Sequence, residues 1–330
     1  MIEKNITIII PTKGHPEYIK NILSSYIKQE LKSKIIIIDS SETEETEKIY
    51  TEYNFKLENL SYFHVDDITS DEKIIIAIKL CQTKYLWICG DGLIIDKNII
   101  SNSLIDESCH VIHLIDVTAR DNRSYCKKYN IPTNMVCEDH RLFAKHFFWT
   151  GTFMGSIIID NEIRDELINK AVLNKYINTG FMLISGLLDI FANKKIKTQI
   201  LITKYYYPNP AKNEATWMNS ESIFKIWAQE MPKAINLLPD DYNCIKELLV
   251  KTTAVRNNYL SRRGLLRWRA KGAFNSAIEK KYEEDLLKTT QLSCRELRLF
   301  SKIPKFICKF IILPFLIRNK IKRSIKMKGV

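Results

Sequence analysis

Ile6-Thr7-Ile8-Ile9-Ile10-Pro11-Thr12-Lys13-Gly14 decides how the chain begins to fold. The five residues before Pro11 are all β-branched and uncharged. They read as a strand buried on both faces, ending at the proline. Pro16 to Glu30 follows with apolar residues at 19, 22, 23, 26 and 27, the spacing of one helical face. Strand and helix then alternate. Ile35 to Ile38 is a second buried strand, ending at Asp39. Thr43 to Tyr53 reads as a helix with an acidic first turn, which suits a helix N-terminus. Leu60 to Val65 is a third strand, closed by Asp66-Asp67, and Glu72 to Cys81 is a helix. Tyr85 to Cys89 is a fourth strand, closed by Gly90-Asp91-Gly92. This order predicts an α/β fold, a doubly wound and mainly parallel sheet. Further strands are expected at Val111–Ile115, Ser156–Ile159 and Ile196–Thr203. Helices are expected at 138–148, 161–175 and 178–192, and everywhere beyond about Ser220.

An open parallel sheet binds ligands beyond the carboxyl ends of its strands. Here those ends read Pro11-Thr12-Lys13, Asp39-Ser40-Ser41, Asp66-Asp67 and Gly90-Asp91-Gly92, and three of the four carry acid. A single acid there often does no more than cap the next helix. Three at successive strand ends point to a ligand. A dinucleotide fingerprint is excluded, because Gly14 is the sole glycine after the first strand, and no P-loop motif occurs. Without a glycine cradle, a diphosphate needs a metal to neutralise it. Mg2+ and Mn2+ take carboxylate, phosphate and water oxygens. Asp91 is the best ligand, since its flanking glycines let the backbone approach closely.

At this point a resemblance carries further. Residues 6–14, Gln29 and Ile35-Ile36-Ile37-Ile38-Asp39-Ser40-Ser41 look like the opening of bacterial family-2 glycosyltransferases with the GT-A fold. Tyr85-Leu86-Trp87-Ile88-Cys89-Gly90-Asp91-Gly92 resembles their D-x-D region. The likeness is clear over residues 5–100 and weaker to about 200. It implies a nucleotide-binding half at 1–100 and an acceptor half at 101–215, followed by a helical extension at 216–330. It also implies a nucleotide-sugar donor, with UDP the expected nucleotide. Pro11 and Thr12 would line base and ribose, Asp39 would bond uracil or ribose beside Ser41, and Asp67 would frame the base. Lys73 would face the diphosphate, although a solvated helix lysine is the plainer alternative. Gly90 and Asp91 would complete the site, with Asp91 on Mn2+ or Mg2+. Cys89 replaces the first acid of D-x-D, a departure from the family pattern that bears on the ribose contact and not on the metal.

An inverting transfer needs a carboxylate to take the acceptor's proton. The resemblance places it at the start of a helix after the segment Phe148–Gly155. Asn178-Thr179-Gly180 offers no acid there, which leaves Asp189, two to three turns on, or Asp160. His110 and His113 fit no ligand spacing and, on a strand, point to opposite faces. His146 is expected to pack near Phe147 and Trp149.

The whole chain has 330 residues, 45% apolar and 27% charged, with a net charge of +12. Length and composition support a real core and exclude disordered or repetitive classes. The charge is unevenly placed. Residues 251–330 hold 21 Lys+Arg and 5 Asp+Glu, a net of +16, which leaves −4 on the first 250. Arg262, Arg263, Arg267, Arg269 and Lys271 alternate with Leu265, Leu266 and Trp268. Residues 301–330 combine nine Lys+Arg, no acid, and a run of Phe, Ile and Leu. That pattern suits a helix lying in an anionic membrane surface, with Pro304 and Pro314 starting or kinking it. A basic helical hairpin packed on the core is the alternative. No 20-residue apolar run predicts a span. A lipid-linked glycan acceptor is expected, so that both reactants share one surface. The eight cysteines form no C-x-x-C and read as reduced thiols of a cytoplasmic protein.

Two other classes compete. A nucleic-acid-binding protein with a basic tail is opposed by the tail's apolar content. A sugar nucleotidyltransferase is opposed by the sparse Lys13-Gly14-His15 loop. A relative without catalytic activity also fits the lack of a clear base.

Overall fold

The computed structural model describes residues 2–101, 104–169, 172–211 and 221–312. The chain divides into two compact units. The first is Met1–Asn213 with Ala234–Lys246, and the second is Glu214–Lys233 with Glu247–Val330. The boundary expected at 215/216 lies outside the described residues.

In the first unit the order is β1 (Ile6–Thr12), α1 (Pro16–Lys28), β2 (Lys34–Asp39), α2 (Glu45–Tyr53), β3 (Leu60–His64), α3 (Ser70–Leu80), β4 (Tyr85–Ile88) and β5 (Leu93–Ile95). Next come α4 (Asn98–Ser101), β6 (Val111–Asp116), α5 (Arg120–Lys128), β7 (Asn134–Cys137), α6 (His140–Gly151), β8 (Ile157–Asp160) and α7 (Asn161–Asn169). After α8 (Met182–Asn193), β9 (Thr198–Thr203) and β10 (Tyr206–Pro208) complete the series. Eight strands form one sheet in the order β3-β2-β1-β4-β8-β6-β9-β7, while β10 pairs with β5. The pairs β1–β2, β1–β4, β2–β3 and β6–β9 are parallel. β8 runs antiparallel to both β4 and β6, and β7 antiparallel to β9. The doubly wound, mainly parallel expectation therefore holds.

The isoleucine runs fold as strands because helices cover both faces. Ile6, Ile8, Ile9, Ile10 and Ile35–Ile38 are all buried. Ile19, Ile22, Leu23 and Tyr26 of α1 lie at i, i+3, i+4 and i+7 and are fully buried in the same core. Pro16 starts α1 where its missing N–H costs nothing. α3 starts two residues earlier than the expected Glu72, because Thr69 and Glu72 form a reciprocal capping box.

The second unit is helical. Leu265 and Trp268 of Arg262–Lys271 are fully buried, so the apolar residues of this basic cluster are core. Arg262 pairs with Glu296 at 2.7 Å, and Arg269 donates to the Ile303 carbonyl. Residues 305–312 are helical directly after Pro304. Cys308 and Ile312 pack on Ala270, while Phe306, Ile307, Phe310 and Ile311 are exposed. Residues 313–330, with Pro314 and most of the basic tail, lie outside the described residues. Among the described residues no helix is long and apolar enough to cross a membrane. All eight cysteines are free thiols.

Candidate functional site

The carboxyl ends of β1, β2, β3 and β4 lie at one edge of the sheet, because these strands are mutually parallel. Thr12 faces Asp39 in register, and Asp39 faces His64. Asp39 is fully buried at the end of β2. Its Oδ1 accepts from the Ser41 N–H at 3.0 Å and the Ser41 hydroxyl at 2.5 Å, and its Oδ2 accepts from the Tyr62 hydroxyl at 3.1 Å. Burial and then the Asp39 charge push the Tyr62 phenol well above its usual range. Ser41 Oγ in turn accepts from the Gly14 N–H at 2.7 Å. Gly14 sits at φ +67°, a left-handed turn that brings its N–H to Ser41. Asp39 and Ser41 thus join the ends of β1, β2 and β3 into one frame.

Lys73 of α3 is not a solvated helix lysine. It is 5% exposed, and Nζ donates to the Thr12 carbonyl at 2.7 Å. Desolvation lowers its pKa, opposed by the charges of Asp39, Asp91 and Asp67. A buried ammonium facing three carboxylates is a positive centre beneath the strand ends. Lys13 and Asp67 form an exposed pair at the rim, 2.6 Å apart, which holds the Asp67 carboxyl below its usual range. Such a pair is worth little and opens easily to a ligand. Pro11 is half-buried just before this group.

Asp91 lies in the turn after β4, where the Leu93 N–H bonds the Gly90 carbonyl at 3.0 Å. Its Oδ2 accepts from the Thr12 hydroxyl and lies beside His15 Nδ1, both at 2.8 Å. Among the described residues no hydrogen bond reaches Oδ1. Asn209, 2% exposed after β10, donates to the Asp91 and Tyr18 carbonyls and so clamps the turn to α1. The segment Phe148–Gly155 is brought to the same turn. Gly155, at φ +103°, accepts from Trp87 Nε1 at 2.9 Å, and a Cβ on Gly90 would lie 3.9 Å from Met154 Sδ. The Phe153 ring is 5.6 Å from that of Tyr206. Cys89 is buried in the core with its thiol pKa raised by desolvation.

Three further residues belong to this edge and escaped the sequence reading. His15 and Asn209 had no signal beyond their position in a loop. Asp116 had one, since it ends β6, which runs parallel to β4 through the antiparallel β8. It is buried, accepts from the Thr118 N–H and hydroxyl at 2.8 Å, and faces the Tyr206 hydroxyl.

The two candidate bases have other partners. Asp189 Oδ2, on α8, is bonded by Lys175 Nζ and the Tyr176 hydroxyl, both at 2.7 Å. A lysine and a phenol thus share one carboxylate oxygen. Asp160 pairs with Tyr85, the first residue of β4, which puts it at the sheet edge opposite Asp91. There it caps α7 through the Ile163 N–H and lies within 4.8 Å of His110 and Glu162 in a potential metal group. Lys194 already bonds Glu162 and Glu166 beside it. His113 is fully buried and bonds Thr150, and the His146 ring packs near Phe147, with its carbonyl accepting from Trp149 Nε1.

A divalent cation fits Asp91 better than that opposite edge. A partly open carboxylate beside a hydroxyl, with diphosphate oxygens and water to complete the shell, is the donor set Mg2+ and Mn2+ take.

Residues 7–103 match the family described as glycosyl transferase family 2. Among solved structures, Staphylococcus aureus TarS 1-349 in complex with UDP-GlcNAc is similar at 15% identity and TM-score 0.54, covering 90% of each chain. The mannosyltransferase PcManGT of Pyrobaculum calidifontis, in complex with GDP-Man and Mn2+, is similar at 13% identity and TM-score 0.50, covering 90% of this chain and 88% of that one. These likenesses concern the fold. No curated protein matches the sequence.

Proposed function

We propose that the chain is a glycosyltransferase carrying a family-2 domain on a GT-A fold, and that it moves a sugar from a UDP-type nucleotide sugar to a lipid-linked glycan during bacterial surface-polysaccharide synthesis. One observation carries the donor site. Asp39, Lys73 and Asp91 converge on Thr12 at the end of β1, through its register partner, its carbonyl and its hydroxyl. Asp39, with Ser41, offers a carboxylate to base or ribose. The Lys73 ammonium and the rim residue Lys13 face the diphosphate. Asp91 would hold Mn2+ or Mg2+, which would supply positive charge toward the departing diphosphate. The segment Phe148–Gly155 and Tyr206 then border the acceptor's approach. The acceptor hydroxyl attacks the anomeric carbon, its O–C bond forms as the bond to the diphosphate breaks, its proton passes to water, and the configuration inverts.

Attachment to a membrane surface would bring the enzyme to a lipid-linked acceptor, and one helix supports this reading. Phe306 and Phe310 are 62% and 71% exposed on a helix that also carries Lys305 and Lys309, a mixture suited to the surface of an anionic cytoplasmic leaflet. Mass spectrometry of products from a panel of nucleotide sugars and lipid-linked glycans tests this function. One donor should yield a glycan one residue heavier, and Asp91→Ala should abolish it. No transfer from any donor, or full activity in Asp91→Ala, would reject it.

A further inference from the structure

His15 lies between Gly14 and Pro16 and has no role in the donor site described so far. Both neighbours restrict it. Gly14 at φ +67° sets the turn, and Pro16 begins α1. The His15 carbonyl accepts from the Tyr18 and Ile19 N–H groups, which ties its backbone to the first helical turn. Its ring stacks on Tyr18 with centroids 4.5 Å apart and planes 17° apart. Backbone and ring plane are therefore both held, and Nδ1 is directed at Asp91 Oδ2, 2.8 Å away. The two side chains are 36% and 19% exposed, so an ion reaches them from solvent.

We propose that His15 Nδ1 is a second protein ligand of the divalent metal at Asp91. The inference rests on the metal site of the preceding subsection. Without metal, Nδ1 carries the hydrogen, because its neighbour is a carboxylate that only accepts. A cation arriving at Oδ2 takes the place of that hydrogen. The neutral imidazole then carries its hydrogen on Nε2, which has no described protein partner, and Nδ1 presents its lone pair to the ion. Tyr18 keeps the ring from swinging away. The spacing fits: adjacent ligands on an octahedral ion with bonds of about 2.1 Å stand about 3.0 Å apart. An imidazole also changes which ion is favoured. Nitrogen ligation raises affinity for first-row transition ions above that for Mg2+, so the site selects Mn2+ or Co2+.

The test uses the full chain with MnCl2 or MgCl2, each with and without UDP. The variant His15→Phe keeps the stack on Tyr18 and removes both nitrogens, and Asp91→Asn serves as reference. The wild type should bind Mn2+ more tightly than Mg2+ and show, in pulsed electron paramagnetic resonance, modulation from a coordinated 14N. His15→Phe should lose that modulation and at least tenfold in Mn2+ affinity, with Mg2+ affinity changed less. Asp91→Asn should lose both ions. Unchanged Mn2+ affinity and 14N modulation in His15→Phe would overturn the role of His15 and leave the metal at Asp91 standing. No binding of either ion by the wild type, even with UDP, would overturn the metal site itself and this inference with it.

Discussion

His113 gives the protein a measurable weakness to acid. It lies in β6 with no exposed surface, between the rings of Phe143 and Phe147 at 5.5 and 5.9 Å. The Thr150 hydroxyl donates to the Phe147 carbonyl, so its oxygen accepts from His113 Nε2 at 2.7 Å. That fixes the tautomer and leaves Nδ1 buried with no hydrogen-bond partner among the described residues. A second proton on Nδ1 would have neither water nor an acceptor, and burial pushes the imidazole pKa down from 6.5 to about 3. The sign follows from linkage. The unfolded chain takes up a proton near pH 6.5, the folded chain does not, and stability is lost as pH falls from about 6.5 to about 3. The slope is about 1.4 kcal/mol per pH unit, so this residue alone removes about 2 kcal/mol between pH 7.5 and pH 5. His113→Leu keeps a similar volume and leaves the Thr150–Phe147 bond intact. Urea denaturation of both proteins at pH 7.5 and pH 5 should show the variant losing about 2 kcal/mol less on acidification. Equal losses, or an NMR titration of His113 near pH 6.5, would refute the reasoning.

Three other outcomes are expected. Gly155→Ala forces a side chain into φ +103° and sets its Cβ 2.9 Å from Leu93 Cδ1, which should cost about 1–3 kcal/mol in urea denaturation; a cost near zero would show that this turn is not constrained. Thr12→Val removes the hydroxyl donated to Asp91 and keeps the shape, so donor turnover should fall about tenfold while the melting temperature stays within a few degrees; unchanged turnover would dismiss that bond. Deleting residues 301–330 should release the protein from anionic vesicles in a flotation assay, and retained binding would end the membrane proposal.

The sheet was legible where the chain is most buried. β2 and β4 are apolar runs closed by Asp or Gly, and β1 is a β-branched run that continues through Pro11, its expected end, to Thr12, because both residues still pair with β2. The unexpected elements lack it. β7 is an edge strand with Val136 47% exposed, β5 and β10 have three residues each, and α5 buries just Cys126 and so shows no apolar stripe. The capping box of Thr69 and Glu72 was legible and corrects the start of α3. In the site, Asp39 and Asp91 follow from their places after strands. The same rule reaches Asp116 once β6 is known to run parallel to β4. The burial of Lys73, the Tyr62–Asp39 bond and the Asn209 clamp depend on which helix or hairpin covers the strand ends, and no local pattern encodes that. The basic cluster at 262–271 was ambiguous for a related reason, since amphipathic residues look alike whether they face a lipid surface or a small core.

The central claim is that the edge formed by Thr12, Asp39, Lys73 and Asp91 binds a nucleoside diphosphate through a divalent metal. Calorimetric titration of UDP with Mn2+ present tests it most directly. The wild type should bind, with at least tenfold weaker binding after Mn2+ is removed, and Asp39→Asn and Asp91→Asn should each lose tenfold or more. Binding unaffected by both substitutions, or no binding of UDP or any other nucleoside diphosphate, would contradict it.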